Sequence, residues 1–507
     1  MKKTVFIKNA IILTASSLIL RFVGILFKVW LAGIVGPEGI GLYHLVFSVY
    51  MLAATFASSG ISTAVTRLVA DELALGSKKG TLKILHRSIQ ITLLVAAASL
   101  CVVYFGASFI AGTLLGDARA EPALKILAFS LPFMGVYSCL RGFFIARRKA
   151  APGAVTQLLE QAVRIIIVVI LVQKFASRGI AFCCAAVLFG DTVAEMVSCL
   201  SLWLVYLKDA RRLKGLSGRS RPPFPVVRKL LHISLPITAG RYLNTALRTG
   251  ENILVPKSLA KSATGGENAL SQFGMIKGMA LPVLFFPSTL LNALSTLLIP
   301  EMSEASARGR AGMVRSATEN ILRLTAIISF IFGALFFAAG GQIGELVYKS
   351  PDVGALLISL SPIVPLMYLD SVSDGILKGL DQQVFTFRTS VFDSAIRILM
   401  IVLILPRFGL VGFIGIMYFS NLLTCGCNVR RLLKISGAKL KMTSEILLPV
   451  CSALTVTLLA KFAISLFGTP SQLLYVILLC LISLPAYLVL LFLFGVISAD
   501  DIRIFTK

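Results

Sequence analysis

Apolar runs of roughly twenty residues recur along the whole chain, separated by short stretches rich in Gly, Pro and charge. They centre near residues 22, 53, 98, 132, 168, 190, 243, 285, 329, 363, 400, 416, 455 and 483. A helix crosses a hydrocarbon core of roughly 30 Å with about 20 apolar residues. The pattern therefore predicts an all-α polytopic membrane protein of about fourteen transmembrane helices. The first run extends from Ile11 past Val29, too long for a signal-peptide core, and reads as a retained first helix. The most polar segment, KDARRLKGLSGRSRPPFPVVRK at 208–229, separates the sixth and seventh helices. It predicts a basic cytoplasmic linker between an N-terminal lobe (1–207, helices 1–6) and a C-terminal lobe (230–435, helices 7–12), followed by helices 13–14 and a cytoplasmic tail (436–507).

The two lobes repeat one another. LEQAVRIIIVVI (159–170) aligns with FDSAIRILMIVL (392–403) at an offset of 233, pairing Glu160 with Asp393 and Arg164 with Arg397. The same offset pairs Pro132 with Pro365, Gly142 with Gly375, and Ser62-Thr63 with Ser295-Thr296. Near the lobe starts RFVGILFK (21–28) aligns with RYLNTALR (241–248). An even number of helices between equivalent positions makes this a parallel repeat, an architecture in which transporters place the substrate site between the halves.

Composition narrows the class. Of the 507 residues 57% are hydrophobic and only 14% charged, against about a quarter charged in soluble domains. The formal net charge of +26 does not signal nucleic acid. With the N-terminus placed in the cytoplasm, about 33 of the 49 Lys and Arg fall in inside loops. The distribution predicts a multi-pass protein of the cytoplasmic membrane, N-in and C-in, whose basic loops meet anionic lipid headgroups. The nine cysteines lie in or beside apolar runs and read as packing residues, with no metal-ligand spacing.

Charge inside a span costs about 2.5 to 3.5 kcal/mol at the bilayer centre, so such residues face partners, a wet cavity or headgroups. Both lobes open on a helix with cations at i and i+7: Arg21 and Lys28, then Arg241 and Arg248. These four, with Lys277 on the eighth helix, are the candidate substrate-binding residues of a cationic cavity. Glu251 and Asn252 follow Arg248 on its face. They are candidates for ion coupling or structural pairing, as are Glu160 with Arg164 and Asp393 with Arg397, each at i, i+4. No Walker A pattern, H-E-x-x-H or catalytic Ser/His/Asp set is visible, which argues against an enzyme and a nucleotide cofactor. Energy, where needed, falls to Na+, H+ or the membrane potential.

Three stretches carry a family resemblance: SLILRFVGILFKVWLAGIVGPEGIGLY (17–43), LPFMGVYSCLRGFFIARRKAAPGAVTQLLEQAVRI (131–165) and GMALPVLFFPSTLLNALSTLLIPEMSEA (278–305). On these the chain resembles the multidrug/oligosaccharidyl-lipid/polysaccharide exporter superfamily, in particular its stage V sporulation protein B and polysaccharide-biosynthesis branch, related to the lipid II flippases. The resemblance implies two six-helix lobes in a V, alternately open to each side, plus two C-terminal helices. It also implies cavity cations on the first and eighth helices, which Arg21 and Lys277 match. The expected substrate is a lipid-linked oligosaccharide or peptidoglycan precursor of the undecaprenyl-pyrophosphate type, flipped across the membrane by alternating access. Cell-wall synthesis proteins are the expected partners. The alternatives are a cation-coupled multidrug antiporter of the same superfamily and a non-transporting scaffold in cell-wall or spore-cortex synthesis.

Overall fold

The computed structural model describes residues 3–58, 60–76, 78–149, 151–214, 225–262, 268–466 and 471–497, with the side chains of 3–15, 17, 18, 21, 78, 79, 176, 212–214, 293, 294 and 296–300 excepted. Described residues are helical almost throughout, and none is in a strand. The chain divides into two compact units, 1–257 with 268–274, and 258–267 with 275–507.

The first unit holds α1 (Lys3–Ser58), α2 (Ile61–Ala74), α3 (Lys78–Phe105), α4 (Ala107–Phe109), α5 (Glu121–Ala128), α6 (Leu131–Ala146), α7 (Ala151–Phe175), α8 (Ile180–Lys214), α9 (Val226–Ala260, to residue 257) and α10 (Ala269–Gly274). The second holds α11 (Leu281–Phe285), α12 (Ser288–Ala307), α13 (Ala311–Tyr348), α14 (Pro351–Leu360), α15 (Val364–Gly379), α16 (Gln383–Ser436), α17 (Leu448–Leu466) and α18 (Gln472–Leu493).

All fourteen apolar centres fall on helical residues. Among the described residues nine helices are long and apolar enough to cross a membrane, or ten if a bent pair is one span. The chain is thus a multi-pass membrane protein. Two adjacent centres share α1 and two share α16, because each of these helices continues through a glycine. Gly36 (φ 76°) breaks α1 just before Pro37, and Gly409 (φ 52°) breaks α16 after Pro406. Left-handed backbone is cheap only for glycine. Pro132, Pro282, Pro362 and Pro365 fall in first turns, where a missing N–H removes no intrahelical bond.

The first unit does not end at the basic 208–229 segment, of which 215–224 lie outside the described residues. Val226 and Leu230 of α9 join a core built by Val65 and Leu68 of α2, Ile84 and Leu85 of α3, Phe143 and Phe144 of α6, and Leu202 and Tyr206 of α8. Apolar burial of this kind stabilises by about 25 cal/mol per Å², and it docks α9 onto the helices that precede the linker. Polar bonds continue the docking. Thr249 donates to the Ser48 carbonyl (3.0 Å), Asn252 Nδ2 donates to Ser48 Oγ (2.9 Å), and Thr245 Oγ1 lies 3.3 Å from Thr55 Oγ1.

The second unit has its own core, in which Ile331, Leu335 and Ala339 of α13 pack on Val456 and Ala460 of α17 and on Leu479 and Tyr487 of α18. Tyr487 donates to the Ile327 carbonyl (3.1 Å), so the last two helices are fastened to α13.

Candidate functional site: a polar cavity in the first unit

Ion pairs hold the ends of the first bundle. At one end Asp209 of α8 binds Arg147 and Lys149, which follow α6. At the other, Arg119 bridges Asp117 (2.7 Å) and Glu38 (2.8 Å), and Lys257 donates to the Thr113 carbonyl (2.9 Å).

Between these ends lies a cavity of about 720 Å³, within the roughly 300–1,000 Å³ of small-molecule sites. Its lining comes from six helices, with Ser62 and Thr63 from α2, and most of its residues are polar. α9 supplies Arg241, Asn244, Thr245 and Arg248, and α6 supplies Tyr137, Ser138 and Arg141. α7 supplies Gln157 and Glu160, and α8 supplies Glu195 and Ser198. Met51, Thr55 and Ser58 come from α1. The spacing explains the convergence: 137, 138 and 141, 157 and 160, 195 and 198, and 241, 244, 245 and 248 each form one helical stripe.

The acids and cations of this region divide into two sets. Arg164 is committed to protein partners: it binds Glu160 (2.9 Å) and Gln161 (3.0 Å) on its own helix and reaches Asp191 of α8 at 2.7 Å. The guanidinium groups of Arg141, Arg241 and Arg248 differ. Among the described residues none of the three has an ion-pair or hydrogen-bond partner. Each carries five donors that cannot be switched off by deprotonation. Glu195 also lacks a cation partner among the described residues. Its two oxygens accept from the buried Tyr50 hydroxyl (2.9 and 2.8 Å), and Ser130 donates to Tyr50 Oη (2.6 Å).

The five cations expected to share a cavity are not all in this one. Arg241 and Arg248 line it. Lys28 is exposed on the first half of α1, in electrostatic range of Arg164 and Asp191, and is not a lining residue. Lys277 belongs to the second unit, half-buried in a π-helical turn at Met275–Ala280. The Arg21 side chain lies outside the described residues. The cause is the docking of α9 against residues 48–55, which turns its arginines toward α6, α7 and α8. Glu251 is buried (3% exposed) and Asn252 is bound to Ser48; neither lines the cavity. In the second unit Asp393 binds Arg397 and accepts from Ser420 Oγ (2.7 Å). Arg141, Glu195, Tyr50 and Gln157 were not among the expected binding residues. Arg141 stands alone in an apolar segment, three and four residues beyond Ser138 and Tyr137, and that stripe is its only sequence signal.

A family model described as polysaccharide biosynthesis protein matches residues 6–306, more than half of the chain. The chain belongs to the polysaccharide biosynthesis protein family. It is 27% identical to stage V sporulation protein B of Bacillus subtilis (strain 168) over 416 residues, covering 81% of this chain and 80% of that protein. It is 22% identical to lipid II flippase MurJ of the same organism over 417 residues, covering 78% and 76%. The fold is that of a solved MurJ in an inward closed conformation, with TM-score 0.73, 14% identity and coverage of 95% and 98%. An inward-facing multidrug resistance MATE transporter of the MOP superfamily also shares it, with TM-score 0.65, 13% identity and coverage of 82% and 94%.

Proposed function

We propose that the protein is a flippase for a polyprenyl-diphosphate-linked glycan, a precursor of peptidoglycan or a related polysaccharide. The observation that carries this reading is the set of three arginines, Arg141, Arg241 and Arg248, that line one cavity without partners among the described residues. Guanidinium groups favour phosphate through charge-assisted, two-pronged hydrogen bonds. A diphosphate entering the bilayer loses water, and three fixed cations offset that loss. The polyprenyl tail is apolar and needs no chamber; it stays in lipid while the headgroup crosses. The names of the relatives support the same class, one a lipid II flippase and another a sporulation protein. The end of the bundle bearing Arg147, Lys149 and Asp209 is read as cytoplasmic from the positive-inside distribution.

The test is reconstitution of the full chain in vesicles carrying a labelled polyprenyl-diphosphate disaccharide, with headgroup exposure read by an impermeant enzyme or quencher. Wild type is expected to move the label across the bilayer, and Arg241→Ala and Arg248→Ala to slow it at least tenfold. Equal rates in wild type, variants and empty vesicles would reject the reading.

A further inference from the structure

The cavity is not uniformly cationic. Its arginines come from α6 and α9, whereas α7 and α8 contribute Gln157, Glu160 and Glu195. Glu160 is neutralised by Arg164. Glu195 has no ion-pair partner among the described residues: it is held by the Tyr50 hydroxyl, with Ser130 behind it, and Glu160, Asp191 and Arg164 lie in electrostatic range. The carboxylate is nonetheless fixed in direction. Tyr50 is 2% exposed and touches both oxygens, so it holds the plane of the carboxyl group while leaving lone pairs unused. The Gln157 amide also has no partner among the described residues.

Depth separates Arg141 and Arg241 from Glu195, while Arg248 reaches the level of Glu195 on another helix. With a rise of about 1.5 Å per residue, Arg141 lies about 9 Å inward from Arg147, and Glu195 about 21 Å inward from Asp209. Arg147 and Asp209 are bound to each other, so the two counts start from one level. Arg241 lies one turn before Thr245, which sits beside Thr55, so it too belongs nearer the Arg147 end.

A carboxyl group with no ion-pair partner offers no attraction to a bare phosphate. It accepts hydrogen bonds from neutral hydroxyl groups, and its paired lone pairs suit two adjacent sugar hydroxyls. We infer that Glu195 and Gln157 form a glycan subsite, in which they bind the hydroxyl and amide groups of the sugar next to the diphosphate while Tyr50 positions Glu195. This rests on the flippase reading above and adds to it the feature that selects a glycosylated carrier over a sugar-free one. Cations for the diphosphate and hydrogen-bonding groups for the sugar divide the recognition between them.

The experiment measures binding of two probes to the purified full chain in nanodiscs: polyprenyl diphosphate, and polyprenyl diphosphate bearing a disaccharide. Wild type is expected to prefer the glycosylated probe. Glu195→Gln is nearly isosteric and still accepts from Tyr50. It should shrink that preference about tenfold, the worth of one hydrogen bond. Tyr50→Phe and Gln157→Ala should shrink it in the same direction, whereas Arg241→Ala should weaken both probes by a similar factor. The subsite is overturned if Glu195→Gln leaves the preference intact, whether it weakens both probes alike, affects neither, or abolishes translocation with both affinities unchanged. The last result would assign Glu195 to ion coupling. Wild type that binds neither probe overturns the flippase reading itself, and the subsite with it.

Discussion

Arg164 Nε lies 2.7 Å from Asp191 Oδ1, joining α7 to α8 across the tight turn at Gly179. The same guanidinium binds Glu160 one turn back, so one cation serves two acids. The second unit repeats the local pair and changes the cross-link: Asp393 binds Arg397, and the bond to the next stretch of helix comes from Ser420. At the offset of 233, Asp191 corresponds to Thr424 and Ser420 to Val187, so the local pair recurs while the cross-links stand at different positions. The position 233 residues after Arg141 is Asp374, which binds Lys378, so the cavity cation of the first unit has an acidic counterpart in the second.

Replacing Arg164 should therefore damage stability before it damages substrate handling. Asp191 is 7% exposed at its side chain and would lose its only ion-pair partner among the described residues. Removing one member of a buried pair costs about 3 to 5 kcal/mol; Arg164 is 25% exposed, so the lower end applies. Arg164→Ala is expected to lower the unfolding temperature in detergent clearly. Asp191→Asn in the same background should recover part of the loss.

The cavity arginines should behave in the opposite way. Arg141, Arg241 and Arg248 lack partners among the described residues, so truncation breaks no internal bond. Arg241→Ala and Arg248→Ala should keep the unfolding temperature of wild type while translocation falls at least tenfold, since charge-assisted hydrogen bonds are worth about 1.5 to 3 kcal/mol. Arg141→Ala is expected to do the same. Arg241→Lys should recover only part of the rate, because an ammonium lacks the planar fork. Parallel thermal and transport measurements decide this.

The helices were legible because membrane-length apolar runs leave few alternatives to helix. The breaks inside α1 and α16 fall at joints between adjacent apolar runs, Gly36 directly before Pro37 and Gly409 three residues after Pro406. Membership of α9 was not legible. The polarity of 208–229 marks a connection, but which bundle α9 joins depends on Val226 and Leu230 meeting Phe143 and Tyr206, a tertiary fit that periodicity does not encode. Arg141 was obscured for a related reason. It lies six residues before the basic run 147–149, where a cation reads as one more residue snorkelling to the headgroups. Only the placement of α6 beside α7 and α9 turns it into a cavity residue. Lys28 and Arg248 aligned by repeat, and repeat alignment fixes equivalence without fixing which cavity each faces.

Close packing yields a prediction at Gly274. It ends α10 against α1, and a Cβ built there would collide with the Pro37 carbonyl oxygen. The obstacle is backbone, which cannot rotate aside. Gly274→Ala should lower stability by about 1 to 3 kcal/mol, the usual cost of overpacking. Gly250→Ala serves as the control, because a Cβ at that position in α9 meets nothing within 4 Å. A matched loss in both variants would refute the close contact.

The docking of α9 onto α1 can be tested by cross-linking. Thr245 Oγ1 and Thr55 Oγ1 are 3.3 Å apart, so thiols at these positions fall within reach of a disulfide. In a variant with its nine native cysteines replaced, Thr55→Cys with Thr245→Cys should cross-link under mild oxidation. Pairing Thr55→Cys with Arg228→Cys supplies the contrast: Arg228 lies 17 residues earlier on α9, about 26 Å by helical rise. Proteolysis within 208–229 before gel electrophoresis separates the outcomes, because only a true α1–α9 bond keeps the two fragments together. Fragments that separate in both variants would remove α9 from the first unit. Arg241 and Arg248 would then no longer line one cavity with Arg141.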